Sequence, residues 1–193
     1  MPRVIDQYAS YHPLSRAEWR QWLAHNHASE PGIWLIYNKK ASGQPSVSYA
    51  EAVEEALCFG WIDSLPRKLD ADRTMLLFTP RKPRSVWSKV NKQRIEQLVQ
   101  AGLMTPAGQA KIDLAKQNGS WNTLDSSDNL IVPPELEKAL AEVPAAKQGF
   151  EAFSPSVKKN LLYRLDSAKQ PETKAKRIAE IIAQAVESKK MKR

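Results

Sequence analysis

Apolar and polar positions fall into helical and strand periods that divide the chain into short segments. Ser15 and Glu18 have capping-box spacing, and Trp19, Trp22 and Leu23 follow at i, i+3, i+4, which predicts a first helix. Pro31-Gly32 ends it. The aromatic and β-branched run Ile33-Trp34-Leu35-Ile36-Tyr37 predicts a buried strand, and residues 39–45 read as a loop. Ser48 with Glu51 repeats the capping spacing, ahead of a helix with Val53, Ala56 and Leu57 on one face and Gly60 at its stop. Residues 74–79 (TMLLFT) predict a second strand closed by Pro80. Trp61-Ile62-Asp63 is either a short strand or an extended connector. Ser88 caps a helix striped by Ile95, Leu98 and Val99 and ended at Gly102. Thr105-Pro106 opens the next, with proline at its first position.

Residues 122–129 (NTLDSSDN) are polar and turn-rich and mark the best boundary in the chain. Beyond it only helical stripes appear. Leu136, Ala139, Leu140 and Val143 form one, stopped by Pro144. Val157, Leu161 and Leu165 form another after Ser154-Pro155, and Ala175, Ile178, Ile182 and Val186 form the last after Pro171. All six tryptophans lie at or before Trp121. The expected fold is α+β: a small antiparallel sheet packed by helices, followed by an all-helical segment. The expected division is residues 1–121, a linker over 122–132, and helices over 133–193, packed on or tethered to the first part.

Composition narrows the class. With 193 residues, 42% hydrophobic and 26% charged, the chain has globular character. A single cysteine, Cys58, excludes a disulfide framework and a thiolate zinc site. The three histidines, His12, His25 and His27, offer no ligand spacing, so neither metal nor cofactor is expected. No apolar run reaches the roughly 18 residues of a spanning helix, and the first residues carry no hydrophobic leader, which makes the cytoplasm the expected location. The phosphate-binding glycine loops and the serine-nucleophile elbow are absent.

The net charge of +8 is uneven. Between Ser64 and Ile95 stand nine basic residues against Asp70 and Asp72 alone. A field of this sign favours an anionic small molecule or an anionic macromolecule as partner, without specifying which. The same stretch interleaves short polar side chains with Trp and Phe. A pocket for an anionic or polar planar group is expected from Trp61, Asp63, Ser64, Arg67, Thr79, Arg81, Arg84, Trp87, Ser88 and Asn91. Arg81 and Arg84 offer planar forks, Ser88 a helix N-terminus, and Trp61 and Trp87 flat walls. The structural alternative makes the tryptophans core and pairs Asp63 with an arginine, because an isolated buried charge is too costly.

The strings FGWIDS from Phe59, FTPR from Phe78 and WSKVN from Trp87, with AKQPETK from Ala168, resemble the YdeI/OmpD-associated, bacteriocin-protection-like family. The resemblance runs from about Trp19 to Val186. It implies a small bacterial protein linked to protection against bacteriocins or envelope stress, with no settled catalytic activity. Its motif positions here are Gly60, Trp61, Asp63, Ser64, Arg67, Thr79, Pro80, Arg81, Trp87, Ser88 and Asn91.

Three functions follow. The first is a binding module with an anion-accepting pocket, acting in a stress or defence response. The second is nucleic-acid binding through the basic, aromatic-interleaved residues 64–95. The third is an enzyme with Asp63 as general base, for which no orienting partner is visible in the sequence. The first is the expected one.

Overall fold

The computed structural model describes residues 7–190, which divide between 121 and 122 into two compact units. In the first unit, Ser15 accepts a hydrogen bond from the Glu18 amide at 3.2 Å and starts α1 (Arg16–Asn26). Ser48 starts α2 (Tyr49–Cys58) with a full capping box, its hydroxyl accepting from the Glu51 amide while Glu51 accepts from the Ser48 amide at 2.9 Å. Ser88 and Thr105 cap α3 (Lys89–Gln100) and α4 (Pro106–Gln117) in the same way. Each cap satisfies an amide that the helix itself leaves without a partner.

The sheet has four strands in the order β1 (Ser10–Tyr11), β2 (Ile33–Asn38), β4 (Arg73–Pro80), β3 (Trp61–Lys68). The pairs β2–β4 and β4–β3 are antiparallel, as expected, whereas the two-residue β1 joins β2 in parallel. The segment Trp61-Ile62-Asp63, read as strand or connector, is the start of a full eight-residue strand. Antiparallel partners share a face. Ile33, Leu35, Leu76 and Phe78 therefore point together into the core against Trp19, Leu23, Val53, Leu57 and Ile95. Trp19 donates its indole N–H to the Ala52 carbonyl at 3.0 Å, so the largest core residue of α1 is also satisfied as a polar one.

Gly60 sets the turn from α2 into β3. Its φ of +74° lies in the left-handed region, and an added Cβ would stand 2.6 Å from Lys111 Cγ and 3.1 Å from the Ala107 carbonyl oxygen. Its own carbonyl accepts from the Arg81 amide at 2.9 Å, which fixes where Arg81 leaves β4.

The second unit holds α5 (Asp125–Asp128), α6 (Pro134–Glu142), α7 (Pro144–Glu151), α8 (Pro155–Asp166) and α9 (Pro171–Lys190). Its core is Leu136, Leu140, Ala146, Phe150, Leu161, Leu162, Leu165, Ile181 and Ala185. Two expectations change here. The stretch expected as a linker contains α5, which packs on α8, because Leu124 and Ser127 are buried and Lys159 pairs with Asp128. Pro144, expected as a stop, is the first residue of α7. Proline has no N–H to lose at a helix start, so it ends one helix and opens the next.

The helices α7 and α9 pack closely at Gly149. A Cβ at Gly149 would stand 1.9 Å from the Ala185 carbonyl oxygen, which belongs to the backbone and cannot rotate away. Gly149→Ala gains helix propensity but must separate two packed helices. The expected result is a loss of about 2 kcal/mol or more of stability in urea denaturation, the scale of overpacked cores. A variant as stable as the parent would show that the two helices do not meet at this spacing.

Candidate functional site

The register of β3 against β4 decides which motif residues can meet. Trp61 pairs with Pro80, Ile62 with Thr79 and Asp63 with Phe78. After an irregularity between Asp63 and Pro66, Arg67 pairs with Met75. Because Phe78 faces the core, Trp61 and Asp63 lie on the inner face. Ile62, Ser64, Thr79 and, past the irregularity, Arg67 lie on the outer one. The residues expected to line one pocket are thus divided between two faces of the sheet.

On the inner face Trp61 is 1% exposed; it donates to the His27 carbonyl at 3.1 Å and meets Trp22 edge-on. Trp87 is 2% exposed and packs on Trp121 at 5.2 Å. Both are core residues, and the faces expected to serve as ligand walls are used on neighbours. Arg81 is also enclosed, at 3% exposure, with its guanidinium carbon 3.5 Å from the Trp87 ring centroid. Nη1 donates to the Val86 carbonyl at 3.1 Å, while Nε has no acceptor. Burial lowers its pKa to about 10, and the nearby Asp63 carboxylate opposes that fall. Asp63 is half-buried and accepts from the Tyr49 hydroxyl at 3.0 Å.

Tyr49, Tyr37 and Arg94 complete this inner group and were not among the expected residues. Burial raises the Tyr49 pKa, Asp63 adds to the rise, and Arg94 opposes it. Burial and Asp63 act on Tyr37 in the same direction. Arg94 donates to Asn91 Oδ1 at 3.2 Å, which places both residues on the first turns of α3. The one sequence signal for Tyr49 was its position, an aromatic directly after the Ser48 cap. Ser88 lies outside the group because its hydroxyl caps α3. The Tyr49 hydroxyl supplies the orienting partner that an Asp63 base requires.

On the outer face a cleft of about 540 Å³ is lined by Ile62, Ser64, Leu77, Thr79, Lys82 and Ser85, among others. Its floor is apolar. Ser64 donates to the Leu77 carbonyl at 3.2 Å and keeps its lone pairs. Lys82 is exposed, and no acceptor engages its ammonium among the described residues. Arg67 lies on the same face with its guanidinium 4.5 Å from the Trp34 ring centroid, and Arg84 is exposed nearby in the chain. Among the described residues there is no group of three or more His, Cys, Asp or Glu arranged to hold a metal. Burial raises the Cys58 thiol pKa, which leaves it inert as a nucleophile at neutral pH.

Arg81 gives a test of what the inner group is for. A buried guanidinium with one carbonyl partner and an unmatched Nε costs stability instead of supplying it. Its depressed pKa has the matching sign. The unfolded chain binds more protons above about pH 10, and below that value the folded state bears the full penalty. Arg81→Met is therefore expected to leave the urea midpoint unchanged or raise it. Asp63→Asn removes the favourable charge and is expected to lower stability by about 1 kcal/mol. A loss beyond about 2 kcal/mol in Arg81→Met would make the guanidinium a structural support and overturn this account.

Comparison with known proteins follows the two units. Residues 11–111 match the family described as Domain of unknown function (DUF8412), and residues 129–187 match the family described as Bacteriocin-protection, YdeI or OmpD-Associated. The strings around Trp61, Phe78 and Trp87 fall in the first match, and the string from Ala168 falls in the second. No curated protein and no solved structure matches. No helix among the described residues is long and apolar enough to cross a membrane. The chain belongs to the DUF8412 family, whose model matches over half its length, and its C-terminal helices are similar to the family described as Bacteriocin-protection, YdeI or OmpD-Associated.

Proposed function

We propose that the N-terminal unit is a binding module that accepts an anionic small molecule in the outer cleft, and that it serves bacteriocin or envelope-stress protection from the cytoplasm. The match of residues 129–187 to the family described as Bacteriocin-protection, YdeI or OmpD-Associated supports the association with bacteriocin protection. The carrying observation is Lys82, an ammonium without an acceptor among the described residues, lining one cleft with Ser64, Thr79 and Ser85 above an apolar floor. One cation and three hydroxyls suit a carboxylate or phosphate head, and Ile62 and Leu77 suit an apolar body. The lone cysteine fits a reducing compartment.

Nucleic-acid binding is the weaker reading, because the aromatics of residues 64–95 that would stack on bases are enclosed. Phe78 and Trp87, the aromatics of that stretch, are both buried, and Arg73 of the same stretch is paired with Asp70 at 2.7 Å.

Melting temperature measured against citrate and phosphate, with sodium chloride at matched ionic strength, tests the proposal. A ligand at about ten times its Kd stabilises by about 1.4 kcal/mol. The rise is expected in the parent and absent in Lys82→Ala and Thr79→Val. In cells lacking the native protein, the parent is expected to restore survival under a bacteriocin and Lys82→Ala is not. A stabilisation that both variants retain would remove the cleft from the function.

A further inference from the structure

A pair of clefts lies at the other end of the sheet, where β2 runs into the loop before α2. One, of about 520 Å³, is lined by Tyr37, Asn38, Lys40, Gln44, Tyr49 and Thr74, among others. The other, of about 510 Å³, is lined by Asn38, Ser42, Gln44, Asp70, Asp72 and Arg73, among others. Both include Asn38 and Gln44, so they adjoin in a trench that wraps the end of β2 from one face of the sheet to the other, from the start of α2 to the tip of the β3–β4 hairpin.

Its chemistry differs from that of the outer cleft. Tyr49 is 48% exposed, the value of a free surface ring, yet its hydroxyl is tied to Asp63 at 3.0 Å. An exposed aromatic with a fixed tip is an apolar platform that a ligand need not order. The ordering cost usually paid on binding is therefore small. Tyr37 stands beside it, half-buried, close enough for the two phenols to influence each other electrostatically. Beyond the rings, the trench offers amide and carboxylate groups with capacity left. The Gln44 side chain, the Asn38 carbonyl oxygen and the Asp72 carboxylate engage no partner among the described residues. Asn38 Nδ2 is held by the Pro45 carbonyl at 2.7 Å, which aims its oxygen. In a chain of net charge +8 the trench is close to balanced, with Lys39, Lys40 and Arg73 set against Asp70 and Asp72. Lys39 is committed to the carbonyls of Asp70 and Ala71, and Arg73 to Asp70.

We propose that this trench binds an uncharged oligosaccharide, with one sugar ring stacked on Tyr49 and its hydroxyls met by Gln44, Asn38 and Asp72. The C–H face of a pyranose is apolar and lies flat on an aromatic ring. Each hydroxyl both donates and accepts, which an amide and a carboxylate satisfy together. Near-balanced charge disfavours a strongly ionic ligand, and an elongated trench suits a chain of sugars. This site lies at the opposite end of the β2–β4 ladder from the Lys82 cleft and stands independently of the function proposed for it.

Titration calorimetry of the full chain with chitohexaose, cellohexaose and maltohexaose tests it. At least one is expected to bind, with Tyr49→Ala weakening it at least about tenfold, a loss of roughly 1.4 kcal/mol. Tyr49→Phe, which keeps the ring but frees its tip, is expected to fall between the two, and Lys82→Ala is expected to match the parent. Circular dichroism of each variant checks that helix content is unchanged. The proposal is overturned if none of the three sugars binds at millimolar concentration, or if Tyr49→Ala binds as the parent does. It is also overturned if a proline-rich peptide binds through Tyr49 while the sugars do not.

Discussion

The N-terminal unit is organised around one buried carboxylate. Glu55 sits on α2 at 1% exposure and receives Arg16 at 2.5 Å and Arg20 at 2.6 Å, both from α1. A carboxylate so placed is tolerable only because both oxygens are matched by charged donors. Arg20 extends the tie, donating to the Leu103 carbonyl at 2.9 Å between α3 and α4 and covering the Phe59 ring. A hydrophobic trio could hold these helices together as firmly. The ion pairs add direction, because a guanidinium fork accepts a carboxylate in few orientations. With α2 fixed in rotation, its first residue, Tyr49, is aimed at Asp63, and its last turn delivers Gly60 to the start of β3.

From there the strand period determines the chemistry. A motif such as Trp-Ile-Asp-Ser reads as one cluster along the chain, but in a strand its members alternate between faces. Trp61 and Asp63 face a helix-covered core, while Ile62 and Ser64 face the other way. One short string therefore serves two purposes: Trp61 anchors the core and Ser64 lines a cleft. Arg81, just past the end of β4, goes inward onto Trp87, whereas Lys82 lines the outer cleft.

The sequence made the helix starts legible because each rests on a local side-chain-to-amide bond: Ser15, Ser48, Ser88 and Thr105 all cap where their spacing placed them. The two strands with β-branched and aromatic runs were equally plain. Partnership over distance was not legible. The parallel pairing of β1 rests on two residues with no pattern of their own, and α5 exists because Leu124 and Ser127 are buried within the second unit. The candidate site shows the same limit. Residue types in the Gly60–Asn91 stretch pointed to polar and cationic groups. The face each occupies depends on register, and the Tyr49 partner of Asp63 comes from 14 residues away.

The positive charge of residues 64–95 shows how far composition can mislead about partners. A uniform basic stretch suggests a broad electrostatic footprint. In the folded chain the cations are used differently. Arg81 is buried on Trp87, Arg67 lies over Trp34, Arg73 is paired with Asp70, and Arg94 is bonded to Asn91. Aromatic faces take up two of these guanidiniums, Arg67 and Arg81, since planar, weakly hydrated cations stack on rings, although burial of the enclosed Arg81 still carries a desolvation cost. Of this group the exposed cations with no engaged acceptor among the described residues include Lys82 and Arg84, close together in the turn after β4. What reads as a band of charge is, in three dimensions, a mixture of cation–aromatic, ion-pair and amide contacts with an exposed cationic remainder. Of that remainder Lys82 lines a cleft with hydroxyls beside it, which is why the outer cleft, and not the basic stretch as a whole, is where an anion is expected to bind.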